Sequence, residues 1–155
     1  MATWSSRLDA LDRRIAGWMD RHGRWLLRWA LGVIFVWFGA LKVAGISPAA
    51  DLVMVTVRWM PLITPEAFLV VLGVWEVLIG LCLLWRPLVR LAILLLFLQM
   101  GGTFLPLVML PEVTFTHPPF GLTIEGQYII KNLLILAAAL VIGGGVRQRA
   151  GAERS

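Results

Sequence analysis

Glu76 stands inside an apolar run, in Gly73–Val74–Trp75–Glu76–Val77–Leu78–Ile79–Gly80. A carboxylate at the centre of a hydrocarbon phase costs from about 2.5 kcal/mol upward, so it is expected to face protein or water and to hold a partner. Two lysines offer themselves. Lys42 closes an earlier apolar run on a face shared with Gly32, Phe35 and Gly39, and Lys131 opens the last run one turn after Gln127. Gln99, which shares a face with Thr103 and Pro106, adds a polar amide from a third run. The expected site is therefore a polar pocket of Lys42, Glu76, Gln99, Gln127 and Lys131, with Trp37 and Trp75 as apolar walls. Ionisable groups gathered between helices exchange protons or mark a solute path. The plainer alternatives stay open: lysines near span ends snorkel to headgroups, and a buried carboxylate also serves as half of a structural ion pair.

The elements that must position these groups follow from composition. The chain has 155 residues, of which 59% are hydrophobic and 15% charged. A soluble domain is about 45–50% apolar and about 25% charged, so the excess of apolar residues points to an integral membrane protein. Roughly 20 apolar residues cross a hydrocarbon core as a helix. Four stretches qualify: 25–44, 67–85, 88–110 and 127–146. They are too long for barrel strands, and backbone in lipid must bond internally, so the expectation is an all-α, single-domain four-helix membrane bundle covering 1–155.

Arginine sets the expected orientation. Arg7, Arg13, Arg14, Arg21, Arg24 and Arg28 precede the first span or open it, Arg86 and Arg90 flank the second connection, and Arg147, Arg149 and Arg154 follow the last. The positive-inside bias puts all three regions, and so both termini, on the cytoplasmic side. The net charge of +5 is thus read as membrane anchoring rather than nucleic-acid binding. The first span is expected to stay uncleaved: a long N-terminal region with Asp9, Asp12 and Asp20 precedes it, and Lys42 precedes the cleavage-like Pro48–Ala49–Ala50.

Residues 6–22 are expected to form a separate amphipathic helix, opened by Ser6 and Asp9 as a capping box. Leu8, Leu11, Ile15, Trp18 and Met19 make its apolar stripe, set for the membrane surface or, alternatively, for a partner subunit. In the first outer connection, 45–66, Ser47–Pro48 is expected to open a short surface helix and Thr64–Pro65 to open the second span. In the other, 111–126, alternation in Val113–Thr114–Phe115–Thr116 suits a strand, but His117–Pro118–Pro119 favours an ordered loop. Pro106 is expected to kink the third span near Gly101–Gly102 and to free a carbonyl for the polar site. Glu112, His117 and Glu125 match no ligand spacing of known geometry, so no metal site is expected. The lone Cys82 excludes an internal disulfide or a Cys-x-x-Cys pair, and both histidines lie outside the spans, which argues against haem.

Phe38–Gly39–Ala40–Leu41–Lys42, Trp75–Glu76 with Gly80, and Glu125–Gly126–Gln127–Tyr128–Ile129–Ile130–Lys131 together resemble the DoxX-like superfamily of bacterial inner-membrane proteins. The match is most similar to its branch associated with reactive-chlorine resistance and covers about residues 29–144. That resemblance implies a four-helix inner-membrane protein. Some relatives are small subunits of quinone-linked oxidoreductases, such as thiosulfate:quinone oxidoreductase, and others accompany oxidative-stress proteins. Functional positions carried over by the motifs are Lys42, Glu76, Gln127 and Lys131. The bundle also resembles vitamin K epoxide reductase-like proteins, but the chain lacks their cysteine pair.

The expected function is therefore a membrane subunit that supports a redox or oxidative-stress partner, not catalytic alone, with quinone as the cofactor the resemblance admits. Membrane lipid, a redox protein or a second copy are the expected partners. Two alternatives remain: a small proton or solute transporter, and a purely structural or assembly subunit.

Overall fold

The computed structural model describes the backbone of residues 2–152 and the side chains of residues 7–144. Four helices are long and apolar enough to cross a membrane, within Arg7–Val43, Pro65–Leu84, Arg86–Met109 and Ile124–Gly144. The all-α expectation holds, apart from one two-stranded hairpin in a connection.

Helix α1 runs from Ala2 to Val43, α2 from Ala50 to Val57, and α3 from Pro65 to Leu84. A single 3-10 turn, Arg86–Leu88, leads into α4, Val89–Thr103. Two short helices, α5 (Pro106–Met109) and α6 (Pro111–Thr114), precede strands β1 (Phe115–His117) and β2 (Gly121–Leu122). Helices α7 (Ile124–Ile130) and α8 (Asn132–Ala152) complete the chain as described. The four long elements close a ring, in which α1 packs on α3, α3 on α4, α4 on α8 and α8 on α1. Leu31, Phe35, Ile79, Leu83, Leu96 and Ile142 fill its interior. The tight Trp85–Leu88 connection marks one end of the bundle, the hairpin end, and the two longer connections mark the other, the loop end.

The closest packing is between α1 and α3. A Cβ on Gly39 would stand 2.5 Å from the Gly73 carbonyl oxygen, and one on Gly80 would stand 2.6 Å from that of Gly32. Glycine pairs at two levels thus bring the backbones of antiparallel helices into contact, as small residues do at helix interfaces in membranes. This seam fixes the register of everything along it.

Five expectations change. The N-terminal amphipathic segment is not a separate helix, because α1 passes Gly23 without a break and makes one rod about 63 Å long. Ser6 is already helical, so it does not stand at a helix start; its side chain lies outside the described residues, as do those of Val146, Arg147, Arg149 and Arg154. Ser47 Oγ accepts from the Ala49 N–H at 3.3 Å within a turn, and α2 begins only at Ala50. Thr64, by contrast, caps α3 as expected, accepting from the Ala67 N–H at 3.3 Å with Pro65 at the first helical position.

Pro106 starts α5 rather than kinking a continuous helix. The carbonyl of Gly102, which loses its usual donor to the proline, instead takes the N–H of Leu105 at 3.2 Å, so it is not free for a polar site. The 115–122 segment is a hairpin, with a cis peptide between Pro118 and Pro119 at its tip. Prolines confined to the turn leave the flanking residues free to pair. Finally, the last span is interrupted at Lys131, where Asn132 Nδ2 donates back to the carbonyls of Tyr128 and Ile129, both at 3.1 Å. Such local side-chain bonding competes with the regular helical ladder.

Candidate functional site

The glycine seam explains why two distant ionisable groups meet. With Gly39 opposite Gly73 and Gly32 opposite Gly80, Glu76 lies level with Val36, and Lys42 is offset from it by about 9 Å along the axis. Side chains lean toward the N-terminus of their own helix. In antiparallel α1 and α3 that lean carries Lys42 and Glu76 toward each other. Lys42 Nζ donates to Glu76 Oε2 at 2.6 Å, with the two side chains only 8% and 11% exposed.

A third helix joins them. Gln99 of α4 donates from Nε2 to Glu76 Oε1 at 2.8 Å, so each carboxylate oxygen has one donor. This bond also fixes the amide's orientation, since the reverse would set two acceptors face to face. The amide oxygen, Gln99 Oε1, is consequently buried without a partner among the described residues. One turn away in sequence, Trp75 Nε1 donates to the Leu95 carbonyl at 3.3 Å, a second tie between α3 and α4.

Lys42 and Glu76, both buried, and the half-buried Gln99 form an array of donors and acceptors that is not closed. An ammonium has three N–H donors, and one is directed at Glu76. At the far end Gln99 Oε1 has spare accepting capacity. A hydroxyl group, such as that of a phenol, can donate to this oxygen.

The other expected members stand elsewhere. Gln127 and Lys131 are exposed, and Lys131 Nζ lies 5.2 Å from the centroid of the Tyr128 ring. The buried line of α7 runs through Gly126 and Ile129, and Lys131 is two residues past Ile129, about 200° around the helix. Trp37 is 62% exposed and walls nothing in the cluster, being five residues, or about 140°, from Lys42. A shallow groove lined by Ala40, Val43, Ala44, Val74, Val77 and Leu78 lies on the opposite flank of the seam and is apolar throughout.

Two features escaped the sequence reading. Arg28, by sequence one of the basic flanks, is buried and donates from Nη1 to the Leu83 carbonyl at 3.1 Å. The residue four beyond Leu83 is Pro87, which has no N–H, so that carbonyl lacks its helical donor. The proline spacing was a readable signal for an orphaned acceptor, though not for the arginine that fills it. The second is the knot at the loop end. Thr123 caps α7 by accepting from the Gly126 N–H at 3.1 Å, and its hydroxyl donates to the Val113 carbonyl at 2.7 Å. Gly126 lies so close to the Thr114 carbonyl that a Cβ there would overlap it. The glycine of Glu125–Gly126–Gln127 thus serves packing.

No protein-family model, curated protein or solved structure matches this chain.

Proposed function

We propose that the chain is an inner-membrane subunit, both termini cytoplasmic, that supports a redox or oxidative-stress partner through a proton-exchanging site at Lys42, Glu76 and Gln99. The observation that carries this reading is the open end of the array: a buried, unpartnered Gln99 Oε1 beside a carboxylate held by a lysine. A quinol hydroxyl donates to such an oxygen, and a quinone carbonyl accepts from the remaining N–H groups of the lysine. The positive-inside arginine pattern supports the orientation, and the short DoxX-like motifs support the redox setting. Gln127 and Lys131 drop out of the site in this reading.

The test is native purification followed by mass spectrometry, together with survival under an oxidant. Wild type is expected to bring a redox protein or a quinone with it. Glu76→Gln removes the carboxylate that takes up and releases the proton, and Gln99→Leu removes the open acceptor while sparing the ion pair. Both are expected to lose the bound component. If only lipid accompanies the wild type, and both variants protect cells as it does, the proposal fails.

The near-complete burial of the ion pair favours a second reading, in which the cluster only locks three helices together. Under that reading Gln99→Leu lowers thermal stability and changes no redox phenotype.

A further inference from the structure

The first half of α1 has no counterpart in the bundle. Arg28 is level with Leu83, close to the end of α3 at Leu84, so the residues before it project past the hairpin end. Along this projection Leu8, Leu11, Ile15, Trp18, His22 and Trp25 follow one another at steps of three, four, three, four and three. That is the a/d spacing of a coiled-coil seam. All six are exposed, the five apolar ones from 50% to 63%. At 100° per residue the stripe is turned roughly 100° from the line through Gly32, Phe35 and Gly39 that meets α3. A neighbour can therefore cover it without displacing the bundle.

We propose that this stripe pairs with the same stripe of a second copy, as a parallel two-stranded coiled coil. Three observations select that occupant. A helix lying in the headgroup layer must turn away from the span it precedes, and such a turn usually breaks or kinks the helix, yet α1 passes Gly23 as one unbroken helix. Two copies in one bilayer share an orientation, so their projecting helices run parallel and in register; this step rests on the membrane reading above. One flanking pair is then complementary, and the next two, Arg14 with Met19 and Arg21 with Leu26, oppose no like charges. With Leu8 at a, Arg7 takes position g and Asp12 the facing e position of the partner helix, which puts opposite charges across both edges of the seam. Antiparallel pairing would instead oppose Arg7, Arg14 and Arg21 to one another.

The test uses the full chain in carbonate-washed membranes, with Cys82→Ala so that introduced thiols are the sole ones. Single cysteines at positions 8, 11, 15 and 18 are expected to cross-link under mild oxidation, and those at 10, 13 and 17 to stay at background. Arg7→Glu or Asp12→Arg, each placing like charges across two edges, is expected to weaken association roughly tenfold. The charge exchange R7E/D12R is expected to restore it. Cross-linking without the three-four pattern, or a double variant as weak as either single, overturns the proposal. So does quenching of stripe-attached fluorophores by lipid-borne nitroxide with cross-linking at background, which assigns the stripe to the headgroup layer. Loss of the chain from the washed membranes would overturn the membrane reading separately, and with it the parallel constraint.

Discussion

Lys42 and Lys131 are alike in sequence, each a single cation at an end of an apolar run, and the fold treats them oppositely. Lys42 is 7% exposed and paired with Glu76, whereas Lys131 is exposed and rests near one tyrosine ring. What separates them is the helix face each occupies. Lys42 lies three residues after Gly39, on the line where two backbones touch, so its stem is drawn into the seam. Lys131 lies across its helix from the buried Ile129, at a break between two helical segments. Position at the end of an apolar run, which the two lysines share, says nothing about this azimuth.

The sharpest break in the comparison is Lys42→Met. It leaves a carboxylate with only Gln99 for support, and breaking a buried pair from one side costs about 3–5 kcal/mol. Adding Glu76→Gln removes the orphaned charge and keeps an oxygen for Gln99, so the double variant is expected to recover most of that loss. Unfolding in detergent, run as a double-mutant cycle, reads both. A single variant as stable as wild type would show that the pair contributes nothing.

Gly39→Val comes next. Its side chain meets the backbone of Gly73 and Val77, which cannot rotate away, so a loss of about 1–3 kcal/mol or more is expected. Gly101→Ala is the paired control, since a Cβ there meets nothing within 4 Å. In a helix interior that change stabilises by up to about 1 kcal/mol. If the two substitutions behave alike, the seam is not what positions Lys42.

How much of this was readable in advance depends on the kind of signal. Four apolar runs follow from length and composition, and the inward aim of Lys42 and Glu76 follows from glycines at helical spacing beside each; which lysine pairs with Glu76, and the bond to Gln99, do not follow. The exclusion of Lys131 and Gln127 did not follow, because their buried face is set by Ile129 and by the Thr114–Thr123–Gly126 knot. Those are tertiary contacts without a periodic trace. The unbroken α1 was missed for a different reason. The amphipathic stripe of 6–22 and the apolar run from 25 read as two elements, yet the single glycine between them, Gly23, costs only about 1 kcal/mol in a helix and does not end one. Pro106 erred in the other direction: it was read as a kink, and Leu105 N–H bonding to Gly102 let the chain stop and restart instead.

Gln99→Leu tests the third arm of the cluster and should cost less than either seam variant. Interhelical hydrogen bonds in membrane proteins average about 0.6 kcal/mol and reach about 1.7 kcal/mol. The upper value is expected here, because the acceptor is a carboxylate. The unpartnered Oε1 works against this, since removing it also removes a buried polar atom without a partner. A measured gain in stability would mean that the unpartnered oxygen costs more than the bond to Glu76 returns.

The smallest effect expected is from Lys131→Met, and it is the one that most directly tests the asymmetry between the two lysines. The cation stands near Tyr128, a contact worth about 0.5–1 kcal/mol when exposed, and methionine keeps an apolar stem there. The net loss in thermal unfolding should therefore stay below about 0.5 kcal/mol, since a thioether also contacts aromatic rings favourably. Retention of any copurifying redox partner should be unchanged, because Lys131 shares no hydrogen bond with the cluster among the described residues. Combined with Lys42→Met, its effect should simply add, as it does for sites without shared partners. A coupling of 1 kcal/mol or so between the two lysines would mean that they act on one carboxylate after all. That result would return Lys131 to the site, and it would require α7 to turn its exposed face toward Glu76 in the functional state.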